Sequence, residues 1–140
     1  AKLEVFPEEL RARQRAAEFY TARLPASVTP PLVAPEARSA WAQYSILVED
    51  RDSLQKALKE VGVPTNVYYP KPLHLQTAYS DLGYASGSFP VAERLSRSIL
   101  SLPMHPYLTE EEQTRVVDAV ARFTSESTAH PTTSAGISSS

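Results

Sequence analysis

The sequence predicts a small α/β domain, of α+β type, built as a two-layer sandwich in which helices cover one face of a short sheet. Three observations predict it. Residues 40–48 (Trp41, Tyr44, Ile46 and Val48 among them) have the strongest strand character in the chain. Stretches of 3.6-residue apolar period stand before and after them. The elements then alternate α-β-α-β-α-α-α, with a third short strand near Leu102, which suits one sheet layer under one helix layer. At 140 residues the chain can bury a core of its own.

Residues 1–24 read as one helix, with Leu3, Phe6, Leu10, Ala17, Tyr20 and Leu24 at helical spacing and Glu8, Glu9, Arg11, Arg13 and Arg15 between them. Pro7 should kink this segment or mark the first turn of a helix starting near Phe6. Nothing caps the apolar face before Ala1, so the natural chain is expected to continue upstream. Pro25 ends the helix, and residues 25–39, with Pro30, Pro31 and Pro35, form an extended surface connection. The strand at 40–48 is expected to be central. Asp50 or Asp52 caps the next helix, whose buried stripe is Leu54, Ala57, Leu58 and Val61, and Gly62 supplies a left-handed C-terminus. Residues 77–82 form a short helix and 83–88 a Gly/Ser loop; Pro90 then opens a helix with Val91, Leu95 and Ile99 inward. Thr109 with Glu112 is a capping box for a helix burying Val116, Val117, Val120 and Phe123. From 124 to 140 the Ser/Thr/Ala composition loses its apolar period and reads as a disordered tail.

Composition narrows the function. The net charge of −2 favours neither nucleic acid nor an anionic membrane as partner. No segment approaches the ~18 consecutive apolar residues of a membrane span. No charged leader precedes an apolar run, so a soluble cytoplasmic protein is the default. The chain has no cysteine, which excludes disulfides and thiolate metal sites, and His74, His105 and His130 do not share a metal-ligand spacing.

The stretch with most chemical content is 63–76, V-P-T-N-V-Y-Y-P-K-P-L-H-L-Q. Pro64, Pro70 and Pro72 hold Val63, Tyr69 and Lys71 extended, and Asn66–Val67–Tyr68–Tyr69 reads as a sheet-edge strand. The result is a stiff ribbon carrying amide, phenol and imidazole groups, suited to a binding wall. Strand alternation sends Tyr68 and Tyr69 to opposite faces. Either tyrosine can equally be a β-forming aromatic that fills a sheet face. Asn66 can bond a substrate or stabilise the turn after Pro64, and His74 can be a helix-start histidine bonded to backbone. His105, between Met104 and Pro106, reads first as a structural turn residue.

Gly62–Val63–Pro64–Thr65, Tyr68–Tyr69–Pro70 and Pro72–Leu73–His74–Leu75–Gln76, followed by Ser101–Leu102–Pro103–Met104–His105–Pro106, resemble the C-terminal domain of the DegT/StrS-type sugar aminotransferases. The resemblance runs over residues 1–123, with 1–24 as the linking helix. It implies the small C-terminal domain of a fold-type-I, pyridoxal-phosphate-dependent transferase, with Tyr68, Tyr69, His74, Asn66 and His105 on the substrate side. Tyr68 stands where similar enzymes often have histidine.

In such enzymes the amino group passes, with glutamate as the expected donor, to a nucleotide-linked keto-sugar for surface-polysaccharide or antibiotic sugars. The site lies at a homodimer interface. The cofactor is bound mainly by a larger N-terminal domain that these residues do not include. A Schiff-base lysine needs a desolvated setting, whereas Lys71 between two prolines is expected to be exposed, and Lys2, Lys56 and Lys59 lie on helix surfaces. No glycine-rich phosphate cradle is present. The fragment alone is therefore expected to lack the catalytic lysine and to be inactive. The alternative is a non-enzymatic protein-interaction or regulatory domain that keeps the same fold.

Overall fold

A computed structural model describes residues 2–129. Helix α1 (Lys2–Arg23) carries Pro7 inside it, so the proline does not mark the helix start. Ala16, Ala17 and Tyr20 of its apolar stripe are buried, while Phe6 stays half exposed. After Pro25 the chain is not merely a surface connection. Val28 is buried, and Thr29 exchanges both backbone hydrogen bonds with Leu47, at 2.8 and 2.9 Å. The reason is that a strand edge with unpaired N–H and C=O groups takes any extended neighbour.

Strand β1 (Tyr44–Leu47) is half the expected length. It begins late because Trp41 takes a left-handed backbone, φ +48°, which no strand residue can hold. Helix α2 (Arg51–Glu60) starts at Asp50, whose carboxylate accepts the Ser53 N–H at 3.3 Å, and it buries Leu54 and Leu58. Gly62, at φ +74°, turns the chain out of α2 as expected. The ribbon then makes one bridge only, Asn66 to Ser101. Two 3₁₀ segments follow, Leu73–Leu75 and Thr77–Leu82.

Helix α3 (Pro90–Ser98) corrects the predicted inward stripe: Val91 is more than half exposed, and the buried residues are Glu93 and Ser96. Strand β2 (Ile99–Leu102) pairs antiparallel with β1, Tyr44 opposite Leu102 and Ile46 opposite Leu100. With the Thr29 and Asn66 bridges on the outer edges, β1 and β2 are the sheet's centre. Helix α4 (Glu110–Ala129) corrects the expected tail boundary, because regular helix runs past Thr124 to Ala129. Residues 130–140, His130 included, lie outside the described residues.

One sheet face, Tyr44, Ile46, Leu100 and Leu102, is buried with Tyr20, Leu54, Leu58, Val116, Val117 and Val120 in one core, where α4 packs on both α1 and α2. The opposite face carries Ser45, hydrogen-bonded through its hydroxyl to that of Ser101 at 2.8 Å, and the half-buried Leu47 and Ile99. Helices therefore cover one face fully, as the two-layer reading requires.

Candidate functional site

The less covered side of the sheet opens into a groove of about 620 Å³. Tyr68, Tyr69, Lys71, Pro72, Leu73 and Gln76 of the ribbon line it, together with Ala92, Leu95 and Ser96 of α3 and Ile99 of β2. The tyrosines do not part to opposite faces. Pairing stops at Asn66, so no ladder imposes alternation, and both rings line the groove, edge to face at 6.0 Å. Tyr69 is 70 % exposed and Tyr68 40 %. Neither ring is a core filler.

The other expected residues are placed differently. Asn66 is exposed, and its backbone is spent on the bridge to Ser101. His74 does not line the groove. Its Nε2 lies 3.1 Å from Glu93 Oε1, and its ring packs on Phe89 at 4.8 Å. His74 is thus bonded to a carboxylate rather than to backbone. His105 is exposed in a separate, smaller cleft with Pro64, Glu112 and Arg115. The structure brings the two tyrosines together and leaves His105 apart.

Sequence reasoning missed Glu93. Glu93 is 5 % exposed, and its carboxylate receives the Gly87 N–H at 2.8 Å, the Phe89 N–H at 3.4 Å and the Ser86 hydroxyl at 3.2 Å, besides His74. Burial by itself would raise this carboxyl. The bonds from Gly87, His74, Phe89 and Ser86 outweigh it and hold the group below the ordinary carboxylate range. The only sequence signal was an acidic residue just inside a Pro-started helix, which also describes an ordinary exposed first-turn glutamate.

Pyridoxal phosphate does not fit the described residues. Lys56, Lys59 and Lys71 are all exposed, so none offers the desolvated amine the group requires. The Gly87 and Phe89 N–H groups just ahead of α3 donate to Glu93 and so are not free to cradle a phosphate.

Residues 1–121 match the model of the DegT/DnrJ/EryC1/StrS aminotransferase family. Among curated relatives, a "pleiotropic regulatory protein" of Geobacillus stearothermophilus is 44 % identical over 115 residues, 79 % of this chain and 31 % of the relative. A UDP-2-acetamido-2-deoxy-3-oxo-D-glucuronate aminotransferase of Pseudomonas aeruginosa is 40 % identical over 108 residues, 76 % of this chain and 29 % of the relative. Among solved structures, a DegT/DnrJ/EryC1/StrS aminotransferase from Brucella abortus superposes with a TM-score of 0.81 at 47 % identity, over 87 % of this chain and 33 % of that one. The chain spans about a third of the length of these proteins.

Proposed function

The chain belongs to the DegT/DnrJ/EryC1/StrS aminotransferase family, and from that premise we propose that it is the substrate-side domain of a pyridoxal-phosphate-dependent sugar aminotransferase. The substrate class is a nucleotide-linked keto-sugar, in polysaccharide or antibiotic sugar biosynthesis, and glutamate is the amino donor. The Pseudomonas relative, named for a UDP-linked oxo-sugar acid, supports that class. We assign the cofactor, which carries the amino group from donor to sugar, to the part of the protein outside this chain, because Lys56, Lys59 and Lys71 are all exposed. The whole protein works as a cytoplasmic homodimer in this reading. Among the described residues no helix is long and apolar enough to cross a membrane.

The observation that carries the proposal is the exposed tyrosine pair at the mouth of an open groove. Exposed aromatic rings that cost burial and gain nothing for the core suit a sugar, since a phenol can bond a hydroxyl and its face can cover a ring. Tyr69→Ala in the full-length protein is expected to raise KM for the sugar about 3–10-fold, the worth of one hydrogen bond or ring contact. KM for the amino donor should not move. An unchanged sugar KM would remove Tyr69 from the site.

The Geobacillus relative, named as a regulator, favours a second reading: a non-enzymatic regulatory domain that keeps the fold. The full reading frame of the gene separates the two. A lysine-bearing cofactor domain ahead of Ala1 supports the enzyme, and its absence supports the regulator.

A further inference from the structure

Residues 77–92 include no buried or half-buried residue, although Tyr79, Leu82, Tyr84, Phe89 and Val91 lie among them. A 16-residue stretch with no core of its own should be loosely held. Its own turns are local: Tyr79 N–H to Gln76 C=O, Gly83 N–H to Ser80 C=O and Ser88 N–H to Ala85 C=O. Among the described residues, the side-chain hydrogen bonds that tie it to the domain converge on one carboxylate. Glu93 collects Ser86, Gly87 and Phe89 from within the stretch and His74 from just before it, and the Phe89 ring meets those of His74 and Tyr84 edge to face at 4.8 and 5.0 Å.

The ends of this tie are next to the groove. His74 follows the lining residue Leu73 on the ribbon, and Glu93 follows the lining residue Ala92 on α3, so the tie joins the two segments that line the groove. Four hydrogen bonds on a buried carboxylate are far more than a surface glutamate at a helix start makes. An ionised carboxylate only accepts, so His74 Nε2 carries the shared proton and donates it.

We propose that Glu93 is a positioning residue that, through His74 and the Gly87 and Phe89 amides, holds the 73–89 segment at a set distance from α3 and so fixes the width of the tyrosine-lined groove. The proposal rests on the groove being the sugar site, and it names the residue that keeps that site open to one shape. Glu93 touches no substrate in this arrangement. It acts by keeping the Leu73–Gln76 lining in place.

The test uses the full-length protein with Glu93→Gln, which keeps size but loses charge and turns one oxygen into a donor facing N–H groups. Amide hydrogen exchange at Gly87 and Phe89 should speed up about tenfold or more, and KM for the nucleotide-linked keto-sugar should rise about tenfold with kcat within about twofold. Glu93→Asp, which restores the charge, should recover part of the loss. Faster exchange with an unchanged KM would overturn the proposal, and so would unchanged exchange. If Glu93→Gln does not fold, His74→Leu carries the same comparison, because it removes the ring donor and leaves the backbone donors on their carboxylate: a raised KM supports the proposal and an unchanged one overturns it. Tyr69→Ala in the same assay separates the two ideas. If it leaves KM unmoved while Glu93→Gln raises it, the tyrosine reading fails and the positioning role stands. The reverse pattern sinks the positioning role alone.

Discussion

Tyr20 and Tyr44 illustrate what single residues contribute. Their rings meet at 5.1 Å in the core; the Tyr20 hydroxyl donates to the Pro103 carbonyl at 3.0 Å, and the Tyr44 hydroxyl is paired with that of Thr21 at 2.8 Å. Burial pushes both phenols above their ordinary range, Tyr20 further because Tyr44 and Glu112 add unfavourable charge interactions; the Thr21 bond pulls Tyr44 partly back. A raised folded value means that the unfolded chain gives up its protons first. The stability from these neutral phenols is complete below about pH 10 and falls as pH rises from there toward the folded values. Urea unfolding between pH 9 and 12 should show that loss, and Tyr20→Phe should flatten it. At neutral pH the same substitution is expected to cost about 1–2 kcal/mol, since it leaves the Pro103 carbonyl without its donor. Trp41 is the other telling residue. Its left-handed backbone costs about 1–3 kcal/mol, and the indole compensates by donating to Gln14 Oε1 at 2.6 Å and packing on Tyr44 at 5.6 Å. No propensity in residues 40–43 announces this, because the hydrogen-bond partner Gln14 lies 27 residues back, on α1.

Among the elements, α4 was the most readable. The Thr109–Glu112 box forms in both directions: Thr109 N–H to Glu112 Oε2 at 2.8 Å and Glu112 N–H to Thr109 Oγ1 at 3.2 Å. The Thr109 amide, then its hydroxyl, hold the Glu112 carboxyl below the ordinary range against a smaller desolvation effect. That contribution is present above about pH 4.3 and is lost as pH falls through the lowered folded value. Thr109→Ala should cost about 1 kcal/mol in chemical denaturation and move the Glu112 carboxyl titration upward in an NMR pH series. The helix end was misjudged because Ser and Thr at 124–128 lower intrinsic propensity without stopping a helix already packed on α1 and α2. For α3 the error has a different origin. Val91, Leu95 and Ile99 make a sound apolar stripe, yet Glu93 is the residue turned into the domain, because three donors from the turn just ahead of α3 and the more remote His74 converge on it. Periodicity registers hydrophobicity and cannot register that convergence.

For the molecule as a whole, the decisive contrast is between a fully packed helix-side core and an uncovered stretch carrying Tyr68, Tyr69, Leu73, Leu82, Tyr84, Phe89 and Val91, each at least 40 % exposed. Clustered exposed apolar groups of this kind promote association. The 140-residue chain by itself should therefore self-associate at micromolar concentration in sedimentation velocity, and Leu82→Glu with Val91→Glu should shift it toward monomer. A monodisperse wild-type chain would show that the stretch is solvated without help. The sequence by itself determined the α+β class, the four main helices, the strand near Ile46, the caps at Asp50 and Thr109 and the left-handed Gly62, because each follows from local backbone geometry or a short-range pattern; the strand expected at 66–69 is reduced to one bridge. Only the tertiary structure decided that both tyrosines share one groove, that His74 belongs to Glu93 and that His105 stands apart, because those relations join residues brought together by the packing of α3 and the sheet and not by their spacing along the chain.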